Sequence, residues 1–241
     1  MARREALRKR LTRLDPPLSA DDAAEALAEH RVLVDGAVVT NPASQVRPDA
    51  SVVVRPRTVL QGVRKLTPAL EHFAVATAGV TALDLGACTG GFTQALLDAG
   101  ATRVFSVDVG FGQLLGSLRQ DDRVVNLERT NVAEVTPDLL GTRPDLIVCD
   151  VTKLALRDVG RQLATNDVPR AGTDFLGLVK PMFELATGAL PTDDAELQRA
   201  VDVAREGLTE VGWDVLGSMP SVITGHRGAV EFVLHSRWPE T

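Results

Sequence analysis

Five polar side chains sit within or shortly after short apolar runs in this sequence. Asp84 lies inside Val80–Leu85, Asp108 closes Val104–Val107, and Asn131 follows Val124–Leu127. Asp150 closes Leu146–Cys149, and Lys180 closes Leu176–Val179. If the runs are parallel strands, all five residues lie on one rim, beyond the carboxyl ends of the strands, where open α/β sheets bind ligands. An acid about 20 residues past a glycine-rich turn suits hydrogen bonding to a ribose diol. The turn here is Gly86-Ala87-Cys88-Thr89-Gly90-Gly91. Asp108 and Asn131 would then flank an adenosine, the acid on the ribose and the amide on the base edge. Asp150 and Lys180 would face each other where chemistry occurs. Burial lowers a lysine pKa and a neighbouring carboxylate raises it, so their balance decides whether the lysine can act as a base. The same two residues could equally form a plain structural ion pair.

These residues need elements to hold them. The run to Leu85, the turn, and then Phe92, Ala95, Leu96 and Ala99 at helical spacing read as strand, loop, helix. Leu114, Leu115 and Leu118 suggest a further helix, and Ala195–Val211 a long amphipathic one. Strands alternating with helices predict a mostly parallel sheet covered on both faces. Trp213–Met219 and Val230–Leu234, with no helix between them, predict a hairpin at one edge. Upstream, Leu7, Leu11 and Leu14 predict a helix over residues 2–14 that ends before Pro16-Pro17. Ser19 reads as the N-cap of a second helix that buries Ala24, Leu27 and Ala28. Val32–Val34, Asp35-Gly36 and Val38-Val39 read as a hairpin, and Ser51–Val54 as one more strand. The expected organisation is a small α+β module over 1–56, a linker over 57–63 and an α/β domain over 64–241. Two helices followed by such a hairpin resemble the αL-type RNA-binding module of ribosomal proteins and RNA-modifying enzymes.

With 241 residues and 44% hydrophobic content, the chain can bury a sizeable core. Its formal net charge of −6 excludes nucleic-acid binding by bulk charge, so such binding would need a local basic patch. The candidates are Arg3, Arg4, Arg8, Lys9, Arg10 and Arg13, although a terminal charge run can also be just a solvated helix face. Cys88 and Cys149 show no metal-type spacing, and neither do the four histidines; no metal site and no disulfide framework are expected. Cys88 reads as a small packing residue. No apolar run reaches the length of a membrane span, and the basic start leads into no apolar segment, so a cytoplasmic protein is expected.

Five stretches in order resemble the TlyA-type family: Gly-Ala-x-Thr-Gly-Gly-Phe-Thr at 86–93, Val-Asp-Val-Gly-x-Gly-Gln-Leu at 107–114, Glu-Arg-Thr-Asn at 128–131, Val-Lys-Pro-x-Phe-Glu at 179–184 and Ile-Thr-Gly-x-x-Gly-x-x-Glu-Phe at 223–232. The resemblance covers nearly the whole chain. It implies a Rossmann-like, seven-stranded, S-adenosylmethionine-dependent methyltransferase domain of FtsJ type behind an RNA-binding module. The implied activity is metal-free ribose 2′-O-methylation of ribosomal RNA. The family's Lys-Asp-Lys-Glu tetrad maps onto Lys65, Asp150, Lys180 and Glu231. The implied cofactor residues are Asp84, Gly86, Ala87, Thr89, Gly90, Gly91, Phe92, Asp108, Val109, Glu128, Asn131 and Asp150. Three departures from the family pattern, at Leu60-Gln61-Gly62, Val151–Leu156 and Leu185–Asp194, flank the acceptor side. Two alternatives therefore stand beside ribosomal RNA: a small-molecule acceptor for a diverged paralogue, and a non-catalytic cofactor- or RNA-binding protein.

Overall fold

A computed structural model describes residues 4–28, 30–56 and 59–240. The chain divides into two compact units, residues 1–59 and 60–241.

In the first unit, β1 (Glu5–Ala6) leads directly into α1 (Leu7–Leu11). It is followed by α2 (Ala20–Ala28), β2 (Val32–Val34), β3 (Ala37–Val38), β4 (Gln45–Val46) and β5 (Val52–Val54). The expected helix over 2–14 is thus shorter, because Glu5 and Ala6 pair antiparallel with Val46 and Gln45 instead. Leu7 and Leu11 are buried, while Leu14 packs from beyond the helix end. Ser19 does cap α2, its Oγ accepting from the Asp22 N–H at 3.0 Å. The buried face is Ala23, Ala26 and Leu27, one position round from the expected Ala24, Leu27 and Ala28. Alanine on both sides of the helix gives periodicity nothing to discriminate. Asp35 (φ 49°) and Gly36 (φ 84°) make the β2–β3 turn with positive φ at both central positions, the twist a two-residue hairpin requires. β5 pairs with the other side of β2.

The second unit opens with α3 (Gln61–His72), so Gln61-Gly62-Val63 belong to a helix and not to a linker. Then come β6 (Thr81–Leu85), α4 (Gly91–Asp98), β7 (Arg103–Asp108), α5 (Gly116–Arg119), β8 (Val124–Glu128), α6 (Pro137–Leu140), β9 (Leu146–Cys149), α7 (Leu156–Thr165), β10 (Asp174–Val179), α8 (Pro181–Glu184), α9 (Asp194–Glu210), β11 (Asp214–Pro220) and β12 (Phe232–Arg237). The seven strands form one sheet in the order β11-β12-β10-β9-β6-β7-β8. β12 runs antiparallel to both neighbours, and the other pairings are parallel. Side chains alternate between two cores, as the pleat demands. Leu83, Leu85, Ile147 and Cys149 face one side with Leu156, Val159 and Leu208 of α7 and α9. Ala82, Leu146 and Val148 face the other with Leu66, Ala69 and Leu96 of α3 and α4. Among the described residues, no helix is long and apolar enough to cross a membrane.

Candidate active site

Because β6, β7, β8, β9 and β10 are parallel, their carboxyl ends share one rim. The β11–β12 connection reaches it too, since β12 is antiparallel and starts there. β9 and β10 are neighbours, which puts Asp150 beside Lys180: Lys180 Nζ lies 2.5 Å from Asp150 Oδ1 and donates to Val151 O at 2.7 Å. Lys65, one turn into α3, lies 3.3 Å from Asp150 Oδ2 and 2.8 Å from Glu231 Oε2. The four side chains form a line, Lys180–Asp150–Lys65–Glu231, with two charges of each sign. Burial opposes the charge on Lys65, yet Asp150 and Glu231 outweigh it and hold its pKa above the ordinary lysine value. The site thus favours the ammonium form of Lys65.

Glycines set these positions. A Cβ on Gly62 would stand 2.8 Å from the Gly91 Cα, and one on Gly91 2.7 Å from the Gly62 Cα. The two helix starts thus touch backbone to backbone, which brings Lys65 to the rim. Gly86 (φ 85°) lets the Asp150 carbonyl approach to where its own Cβ would be, 2.8 Å away. A Cβ on Gly225 would collide with the Glu231 carboxylate, so the β11–β12 connection folds tightly over that side chain.

The expected cofactor residues divide by what they present. Gly86, Thr89, Asp108, Val109, Glu128 and Asn131 reach the surface at the rim, and Val109 is 69% exposed. Asp108 accepts from the N–H groups of Cys88 (2.8 Å) and Gly110 (2.6 Å), which fixes the loop and leaves part of its acceptor capacity free. Asn131 first of all caps a short 3-10 turn, its Oδ1 accepting from the Ala133 N–H at 3.0 Å. The Glu128 carboxylate is held below the ordinary range by the Gly112 N–H, with Asn126 and Arg119 adding to it against burial. Ala87, Gly90, Gly91 and Phe92 are buried, and the Phe92 side chain packs in the α3–α4 core, so only backbone can serve a ligand there.

Asp84 is fully buried. Its Oδ2 lies 2.6 Å from Thr93 Oγ1, which lies 2.7 Å from Ser106 Oγ, while Oδ1 has no partner. Burial pushes its pKa up to about 7. An orphaned buried oxygen beneath a glycine-rich loop fits a ligand that brings a donor. Cys88 is exposed at φ 49° and works through its N–H, so it is not a packing residue. Cys149 is buried, and burial pushes its thiol up to about 12. Among the described residues, no cluster of His, Cys, Asp or Glu could hold a metal ion.

Sequence reasoning missed Phe111 and Arg129. Phe111 is 68% exposed on the loop after β7, and the Arg129 guanidinium stacks 4.2 Å over its ring. Of the expected basic residues, Arg3 lies outside the described residues. Arg4, Arg8 and Lys9 are exposed, but Arg13 and Arg10 approach Glu5 at 3.0 and 3.8 Å. Arg8, Lys9 and Thr12 edge a groove of about 610 Å³ floored by alanines of α2. That groove is confined to the first unit and contains none of the tetrad.

Residues 58–238 match the FtsJ-like methyltransferase family model. The chain is 39% identical to the 16S/23S rRNA (cytidine-2′-O)-methyltransferase TlyA of Mycobacterium tuberculosis, over 98% of this chain and 91% of that protein. It is 29% identical to hemolysin A of Brachyspira hyodysenteriae, over 85% and 88% of the two chains. A solved structure named as a candidate hemolysin of Streptococcus thermophilus superposes with a TM-score of 0.72 at 26% identity, covering 100% of this chain and 90% of that one.

Proposed function

We propose, on the premise that this chain belongs to the FtsJ-like methyltransferase family, that it methylates a ribose 2′-hydroxyl of ribosomal RNA with S-adenosylmethionine as donor. The observation that carries this reading is the Lys180–Asp150–Lys65–Glu231 line at the strand ends, next to a glycine loop and a ribose-type acid. The M. tuberculosis relative, named as acting on 16S and 23S rRNA, supports the choice of acceptor.

The cofactor would supply an electrophilic methyl group on a sulfonium. Asp108 would hold its ribose diol, Val109 one face of the base, and the Asn131 amide the base edge. The orphaned Asp84 oxygen suits the amino group of its methionyl end. On the acceptor side, Lys180 takes or orients the hydroxyl proton. Asp150 holds Lys180 through one oxygen and Lys65 through the other. Lys65 and Glu231 position the acceptor, Lys65 in its ammonium form. Alignment of the hydroxyl with the methyl group contributes most of the rate, since holding two reactants in line replaces a bimolecular encounter.

The test uses the full chain with methyl-labelled S-adenosylmethionine in three arms: small ribosomal subunits, large ribosomal subunits and a protein-free metabolite extract. Label in subunit RNA is expected, and label confined to the metabolite arm would overturn the RNA reading.

A further inference from the structure

The loop that follows Asp150, residues 151–155, is tied down at both ends by one short stretch of chain, Gly177–Glu184. At its start, Lys180 Nζ donates to Val151 O. At its end, the buried Leu156 side chain fills the space where a Gly177 Cβ would stand, 2.1 Å from Leu156 Cδ1. The Leu156 N–H donates to Glu184 Oε1. Arg157 Nη1 donates to the Glu184 carbonyl at 2.9 Å and lies 3.7 Å from Glu184 Oε2. The residue at the N-cap of α7 is Ala155, which has no side-chain acceptor, so the helix takes its cap from a carboxyl 28 residues away. Glu184 is 2% exposed, an unusual place for an acid unless it has a specific task. A helix needing only a cap would be served by Ser or Asp at 155, which accepts from the Arg157 or Asp158 N–H. A tether from α8, the helix that begins just after Lys180, does something a local cap cannot: it fixes the loop relative to the tetrad.

We infer that Glu184 is a positioning residue for methyl transfer, holding the Val151–Ala155 loop so that Asp150 keeps both Lys180 and Lys65 in line. This rests on the methyltransferase reading above. The Glu184 carboxylate engages Leu156 and Arg157 rather than Asp150 or Lys180, and so acts through the loop. Its loss therefore lowers kcat and spares the cofactor side of the rim, which is built on β6, β7 and β8.

The experiment compares the full chain with Glu184→Ala, Glu184→Gln and the double variant Glu184→Ala/Ala155→Ser. Each is assayed for kcat on ribosomal subunits and for S-adenosylmethionine Kd by calorimetry. Glu184→Ala is expected to lower kcat at least about tenfold with Kd within about twofold. Glu184→Gln keeps an acceptor for Leu156 N–H and is expected to keep kcat within about threefold. The double variant gives α7 a local acceptor for its Arg157 and Asp158 N–H groups, though not for that of Leu156, and it lacks the tether; its kcat is expected to stay low. It also carries the test if Glu184→Ala alone does not fold. The inference is overturned if Glu184→Ala turns over at the wild-type rate, if Ala155→Ser restores kcat, or if Glu184→Gln falls as far as Glu184→Ala. A wild-type chain that transfers no methyl to RNA sinks the RNA reading instead, which keeps the two failures apart.

Discussion

Lys65 shows how this site holds its charges. It is buried between two carboxylates, and Glu231, itself buried, has Lys65 as its near cation. Removing one partner of such a pair leaves an uncompensated buried charge and costs about 3–5 kcal/mol. Lys65→Met should therefore lower stability by that order in denaturant unfolding, and adding Glu231→Gln should recover most of it. Lys180 has a different role. Lys180→Met should leave cofactor affinity nearly intact and lower kcat by about 10²-fold or more, the usual scale for losing an acid–base group. Wild-type turnover in that variant would remove Lys180 from the chemistry. Asp84 predicts a pH effect. Burial raises its pKa to about 7 from an ordinary 3.8, so the folded chain keeps a proton that the unfolded chain releases. Stability present below pH 4 is then lost as pH rises to about 7. Glu184, also raised to about 7 by burial, acts in the same direction. Asp84→Asn stays neutral, so thermal melts from pH 4 to 7 should fall less steeply in the variant than in wild type.

The elements that carry these residues were largely legible in the sequence, for a definable reason. Buried parallel strands read as unbroken apolar runs, and Leu146–Cys149 matches β9 residue for residue. Neighbouring parallel strands then put Asp150 beside Lys180 without further information. Lys65 and Glu231 are different: one sits on a helix ahead of the sheet and the other lies just before the single antiparallel strand of that sheet, so no periodicity brings them together. Only the family resemblance pointed to them. The linker expected over 57–63 runs three residues too far, into α3. Arg55-Pro56-Arg57 reads as a linker because proline fixes φ, but nothing in the sequence marks where it stops; at Gly62 the missing Cβ lets α3 meet α4 at Gly91. Gly62→Ala should push these helix starts apart. Overpacking of this kind costs about 1–3 kcal/mol, and in this case it also shifts Lys65. A lower melting temperature together with reduced kcat is expected. A drop in stability at unchanged kcat would detach Lys65 from catalysis.

At the scale of the molecule, an acidic chain proposed to act on a polyanion must confine its positive charge. Arg4, Arg8 and Lys9 are exposed, whereas Arg10 and Arg13 face Glu5. If the first unit grips RNA, replacing Arg4, Arg8 and Lys9 with Ala should weaken subunit binding and flatten its salt dependence, by a log–log slope of roughly 0.7–0.9 for each phosphate no longer neutralised. Cofactor affinity should not change. Identical salt slopes for the variant and wild type would assign RNA binding to other residues. The central claim is that the tetrad delivers methyl to a ribose oxygen of ribosomal RNA. Its most direct measurement is alkaline hydrolysis of subunit RNA labelled by the full chain, because a methylated 2′-oxygen cannot attack its own phosphodiester. The account predicts label in an alkali-resistant dinucleotide, absent with Lys180→Met. Label released in mononucleotides, which would place the methyl on a base, would contradict it.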